Sequence, residues 1–373
     1  MSDEAALPEP DRVPGAPHPR ETPRVFGHAA PQAAILDAFA ADRLHHAWLL
    51  NGPRGVGKAT LAWAIARFLL TAPETSGGGL FGDPPPPPAS LEATPDHPVL
   101  RRMLALAEPR LFLLRRTAND RGDRLSQDIR VEDVRRLISF LRLSAADGGR
   151  RVVIVDCADE MNPSAANALL KLLEEPPARV TFLLVSHQPS SLLPTIRSRC
   201  RDLRLGPLSP DDLAAALAQA GVAAPDGLAA LSGGSAGDAV RLALLDGPEV
   251  YAAFCALFAT LPRLDRARAA ALADSAVARG AEARTDLAFT LLPAFLARLA
   301  RRGTLGTDLP EAAAGEAALL ARLAPSPQAA RVWADLQAEL SARIRHGRDV
   351  NLDPAALLLD MVVKIAETAG RLA

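Results

Sequence analysis

Aromatic residues are scarce here: Phe, Tyr and Trp make up 4% of a chain whose apolar content is 49%. Leucine and alanine must therefore fill the interior, and both favour helix. Neither sign of charge is in excess. Lys and Arg number 42 against 43 Asp and Glu, a net charge of −1, which removes the global basic field that drives free-standing nucleic-acid binding. A local basic face stays compatible with that balance. The three cysteines, Cys157, Cys200 and Cys255, lie far apart without a C-x-x-C pair, which argues against a disulfide framework or a cysteine-based zinc module. No stretch approaches the ~20 apolar residues that span a bilayer, and the polar, proline-rich N-terminus lacks the apolar core of a signal peptide. A soluble, cytoplasmic protein with no membrane partner is expected.

What is present is organised in blocks, and 373 residues suggest two or three domains. Residues 1–20 read as a disordered tail. A helix at about 31–42 and a short apolar strand, Ala47–Leu50, lead into a glycine-rich loop. Residues 72–98 are rich in Gly and Pro and read as a flexible surface insertion, whose five consecutive prolines suit a spacer better than a polyproline ligand. Strand patterns follow at 111–116, 150–156 and 180–186, with a last short one in "DLRLG" (202–206). Between them lie helical patterns at 131–145 and after Asn162-Pro163, an N-cap and first-turn pair closed by Pro176-Pro177. Strands alternating with helices in this way make a doubly wound, mostly parallel sheet. The expected architecture is an α/β core over 21–206, a small helical lid over 207–247 and an all-helical domain over 248–373.

The glycine loop, "NGPRGVGKAT" (51–60), has the form of a phosphate-binding loop. Gly52, Gly55 and Gly57 would let backbone N–H groups and the helix N-terminus cradle phosphate, with Lys58 reaching the outer phosphates. The position after the lysine normally gives magnesium a hydroxyl, but here it is Ala59. Thr60 is one step late, about 100° further round the helix. Asp156 ends the VVIV run, at the strand end where ligands of such sheets sit, and can hold magnesium through water. The next position, Cys157, cannot serve as a carboxylate base. Asp159-Glu160 reads as a first-turn acidic pair suited to a helix dipole. His45 and His46 read as packing at the strand entry, Cys157 as a small buried hydrophobe, and the RGD at 121–123 as a solvated turn.

Taken together, "HHAWLLNGPRGVGKATLA", "VVIVDCADEMNPSAANALLKLLEEPP" and "LLPTIRSRC" resemble the clamp-loader branch of the AAA+ ATPases. The resemblance covers about 21–206 with specific motifs and the remainder more loosely. It implies a five-stranded P-loop core, a lid and a helical collar, within a five-subunit ring that uses ATP to place a sliding clamp on primed DNA. Under it Lys58 and Asp156 are nucleotide-site residues, Ser186 is sensor-like, and Arg199 of "SRC" is an arginine finger acting on a neighbour's ATP. Gly237 stands where motor subunits carry a second sensing arginine, with Arg241 a turn later. The family's four-cysteine zinc module would fall within 72–110, which holds no cysteine and only His97, so no zinc is expected. Two readings stay open: a rigid stator whose ATP and magnesium binding is weakened by Ala59 and Cys157, and an ATP-hydrolysing motor subunit, favoured by the intact lysine loop. A stand-alone DNA-binding protein is disfavoured by the charge and by the lack of a recognition motif.

Overall fold

In this computed structural model the described residues are 9–10, 12–73, 88–94, 96–119, 121, 124–142, 149–276 and 282–372. Most of the Gly/Pro-rich stretch at 72–98, four of its five consecutive prolines, and two residues of the RGD lie outside them. The chain divides into two compact units, Met1–Gly221 with Ser235–Gly237, and Val222–Gly234 with Asp238–Ala373. Among the described residues no helix is long and apolar enough to cross a membrane.

The first unit is built on β1 (Ala47–Asn51), β2 (Leu111–Leu114), β3 (Arg151–Val155), β4 (Val180–Ser186) and β5 (Arg201–Arg204). They form one sheet in the order β2-β3-β4-β1-β5, and every pairing is parallel. The continuous apolar runs follow from covering both faces of such a sheet. Alternate residues of β3 serve opposite faces. Val152 and Ile154 join Trp48, Leu50 and Leu183 in one core, while Val153 and Val155 join Leu49, Phe182 and Leu184 in the other. Helices α1 (Ala29–Ala40), α2 (Lys58–Thr71) and α3 (Pro98–Leu104) cover the first face, through residues such as Ile35, Trp63 and Met103. Helices α4 (Val131–Arg142), α5 (Pro163–Glu174) and α6 (Pro194–Arg197) cover the second, through Leu137, Leu169 and Ile196. As the sequence predicts, Asn162 caps α5, its side chain accepting from the Ala165 N–H at 2.9 Å. Parallel pairing of β1 with β4 ends on Asn51 beside Ser186, so polar residues meet at the carboxyl edge of the sheet.

Of the tail read over 1–20, residues 1–8 and 11 lie outside the described residues, and the rest differs from its composition-based reading. His18 is fully buried and meets Trp63 of α2 edge-on, ring centroids 5.9 Å apart. Arg67, also on α2, donates to the carbonyls of Arg20 (3.1 Å) and Thr22 (2.8 Å). Glu9 pairs with Arg20 at 2.5 Å and with Arg115 at 3.3 Å. Burial would raise its carboxyl pKa, but the Arg20 bond and the charges of His18, Arg20 and Arg115 outweigh that and hold it low. Composition counts prolines and charges; it does not show that matched partners wait on α2 and just beyond β2.

Residues 207–247 contain α7 (Pro210–Gln219), which belongs to the first unit, and α8 (Leu228–Ser232) and α9 (Ala236–Leu244), which lie in the second apart from the first two residues of α9. The helical unit continues with α10 (Gly247–Phe258), α11 (Arg266–Ala276), α12 (Glu282–Leu305), α13 (Glu316–Leu323), α14 (Pro327–Asp349) and α15 (Pro354–Leu372). Leu292, Phe295 and Leu299 of α12, Trp333 and Leu340 of α14, and Met361 and Ile365 of α15 are buried there. At Gly303 of α12 an added Cβ would lie 3.0 Å from the Ala330 methyl of α14, so these two long helices approach closely.

Candidate functional site

The glycine loop connects the end of β1 to the start of α2, as the phosphate-loop pattern requires. Gly52 has φ +147°, and a Cβ there would sit 2.1 Å from the Leu205 carbonyl oxygen. Gly55 has φ +72°, and its Cβ would meet the Ser235 hydroxyl at 2.2 Å. Only glycine fits either place. The loop is fastened further by His28, whose Nε2 lies 2.8 Å from the Val56 carbonyl oxygen. Lys58 opens α2 and is almost wholly buried. Its Nζ donates to the Gly52 carbonyl at 2.7 Å and to that of Pro53. Burial pushes its pKa down to about 8, against the opposing charges of the Asp159 and Asp156 carboxylates. Ala59 and Thr60 follow, both half-buried.

Around the ends of β3 and β4 the sequence reading needs correction. Asp159 lies in a short 3₁₀ turn, Ala158–Glu160, and does not serve as a first-turn acid for α5, which Asn162 caps. Its carboxylate accepts from the Ser186 hydroxyl at 2.6 Å, the Gln188 N–H at 3.0 Å, the His187 N–H, and the Cys157 thiol at 3.1 Å. Burial alone would raise its pKa; these donors hold it low. Glu160 pairs instead with Arg116 at 2.7 Å. Asp159 is thus the hub tying the end of β3 to that of β4. The signal for it was a tight turn immediately beyond a buried strand, which returns the chain to the sheet's carboxyl edge. The sequence reading also passed over His187. Burial, then the charges of Lys58 and Arg54, push its pKa down to about 4, with Asp159 opposing.

Lys58, Asp156, Cys157, Asp159, Ser186 and His187 therefore make one electrostatic cluster. The Ser186 hydroxyl is committed to Asp159. Cys157 is buried, and its thiol pKa is pushed up by that burial and by Asp159. A neutral thiol supplies neither a metal-binding carboxylate nor a base. The loop's shape and its lysine suit phosphate, but Ala59 and Cys157 do not suit a magnesium ion bound to it. Among the described residues, none of the partners of the Arg199 side chain belongs to this cluster. They are Glu174 at 2.9 Å, the Thr195 carbonyl at 3.0 Å and the Ser198 hydroxyl at 3.5 Å. Gly237 donates its N–H to the Gly55 carbonyl at 3.0 Å, and a Cβ on it would stand 3.0 Å from the Gly55 Cα. Backbone contact with the loop leaves little room for a side chain at 237. His45 and His46 stack with centroids 4.3 Å apart, and the His45 ring bonds the adjacent Ala47 backbone, a packing role at the entry to β1. His97 caps α3, its Nδ1 accepting from the Val99 N–H at 3.2 Å.

A family model described as "DNA polymerase III, delta subunit" matches residues 94–209, from just before α3 to the start of α7. Over that stretch the chain is similar to the family so described. DNA polymerase III subunit delta' of Pseudomonas aeruginosa is 40% identical over 218 residues, 57% of this chain and 60% of that protein. Subunit delta' of Yersinia pestis is 37% identical over 171 residues, 46% of this chain and 44% of its own. Subunit gamma of Buchnera aphidicola is 28% identical over 195 residues, 52% and 47% of the two chains. The chain thus spans between 44% and 60% of the length of these relatives. The resemblance read from the glycine loop, "NALLKLLEEPP" and "SRC" is borne out. So is the expected sheet, which is parallel throughout.

Proposed function

We propose that the chain is a delta'-type clamp-loader subunit within the DNA polymerase III assembly, acting as a comparatively rigid stator. Its partners are delta- and gamma/tau-like subunits in a five-membered ring, which loads the sliding clamp onto primed DNA. In this reading Arg199 supplies a guanidinium in trans to ATP held by a neighbour, and the helical residues 248–373 form the collar that assembles the ring. The chain's own ATPase is weak or absent, and it carries no polymerase site. Gly52, Gly55, Gly57, Lys58, Thr60, Asp156 and Ser186 are the residues that would surround any nucleotide it retains.

One observation carries this reading. The two positions that would hold magnesium and polarise water are a methyl group and a neutral buried thiol, whereas Arg199 stands on a half-exposed segment outside the loop cluster. A motor reading has specific support too: the intact Lys58 loop and the similarity to a gamma subunit. Both are tested by measuring ATP turnover of the isolated chain and of a reconstituted complex carrying Arg199→Ala. The stator reading expects background turnover alone and a slower clamp- and DNA-stimulated ATPase in the complex. Robust turnover by the isolated chain, abolished by Lys58→Ala, would establish the motor.

A further inference from the structure

The ion pair between Arg199 and Glu174 links two motifs that the sequence keeps 25 residues apart (199 minus 174). Glu174 is the last residue of α5. Its carboxylate Oε1 takes one arm of the guanidinium, Nη2, at 2.9 Å, while the Thr195 carbonyl takes the other, Nη1, at 3.0 Å. The two side chains are 43% and 35% exposed, so the pair adds little to folding. Its supports, by contrast, are well packed. Leu173, beside Glu174, and Ile196, three residues before Arg199, are buried in the same core under the sheet, with Cys200 packed against it. A half-exposed pair presented from two well-buried anchors orients a side chain more than it stabilises a fold.

Resting on the reading of Arg199 as a trans-acting finger, we propose that Glu174 is a positioning residue for it. The carboxylate and the Thr195 carbonyl hold two arms of the guanidinium fork, leaving other N–H groups for an oxyanion presented by the neighbour. A freely rotating arginine would have to lose that rotational freedom at every turnover. Arg199 starts with much of it already lost, so Glu174 acts on the rate of the neighbour's reaction and not on nucleotide affinity.

The test is a double-mutant cycle in the reconstituted complex, reading clamp-stimulated ATPase. Glu174→Ala should lower kcat about three- to fivefold, the bias expected of a pair of this exposure, with KM for ATP within about twofold. Glu174→Gln, whose amide oxygen still accepts a hydrogen bond, should recover most of that loss. In an Arg199→Ala background Glu174→Ala should add nothing, and the unfolding transition of each single variant should match wild type. The positioning role is overturned if Arg199→Ala slows the complex while Glu174→Ala does not, or if Glu174→Ala costs the same factor without Arg199. If Arg199→Ala itself has no effect, the finger reading fails and the role of Glu174 falls with it.

Discussion

In the helical unit Glu316 is fully buried, and its carboxylate is consumed inside the unit. Arg298 donates to it at 2.6 and 2.8 Å, the Tyr251 hydroxyl at 2.5 Å and the Ala312 N–H at 2.6 Å. Arg298 then reaches the Pro310 carbonyl at 2.6 Å and the Ala230 carbonyl at 3.3 Å. In the α/β unit another set of charged groups collects at the carboxyl edge of the sheet. Lys58, Asp156 and Asp159 act there on one another, where the loop after β1 meets the ends of β3 and β4. One cluster joins crossing helices; the other sits where the chemistry of such a fold is placed. Buried charge by itself does not mark a function. Its place in the topology does.

The sharpest way to break that contrast is to remove one arginine from each unit. Under the proposed finger role, Arg199→Ala should lower the ATPase at the neighbour's site by the ~10³–10⁵ typical of arginine fingers. The bulk loss is smaller in a ring with several sites, and the melting transition should not move. Arg298→Ala should do the reverse. Leaving Glu316 buried without its cation costs about 3–5 kcal/mol, seen as an earlier unfolding transition by circular dichroism. An Arg298→Ala protein as stable as wild type would mean that the helical cluster is not structural.

A smaller effect distinguishes the clusters by pH. His187 titrates near 6.5 when unfolded and at about 4 when folded. Between those values the unfolded chain binds a proton that the folded chain does not, so stability rises with pH across that window. It is present above about 6.5 and lost as pH falls towards 4, and His187→Gln should flatten this part of a denaturation profile. Asp159, whose folded pKa lies below 3.8, adds a loss only at still lower pH. The smallest effect concerns a feature read from sequence alone. Asn162→Ala removes the cap of α5 and should cost about 1 kcal/mol in denaturant midpoint analysis.

Much of the α/β unit was legible because its signals are local. A run such as VVIV can be satisfied only between two covered faces, and Asn162-Pro163 caps a helix through atoms three residues away. The glycine loop was legible for the same reason, since its backbone conformations admit no other residue at Gly52. Asp159 was misread because its partners, Ser186 to Gln188, lie 27 to 29 residues further on. Likewise, His18 belongs to a stretch whose composition reads as tail, yet it packs on Trp63, 45 residues away (63 minus 18).

By itself, then, the sequence determined the strands, the glycine loop with its missing magnesium hydroxyl, the missing base after Asp156, and the helical character of the described elements beyond Pro207. These follow from backbone preference and from the period of apolar residues, which act over a few positions. Only the tertiary structure decided which polar atoms meet: Asp159 with Ser186, Glu174 with Arg199, Glu316 with Arg298, and the backbone of Gly237 with that of Gly55. Hydrogen bonds and ion pairs depend on distances of about 3 Å. Those distances are set by how the strands order themselves and how the helices cross, which no single stretch of the chain contains.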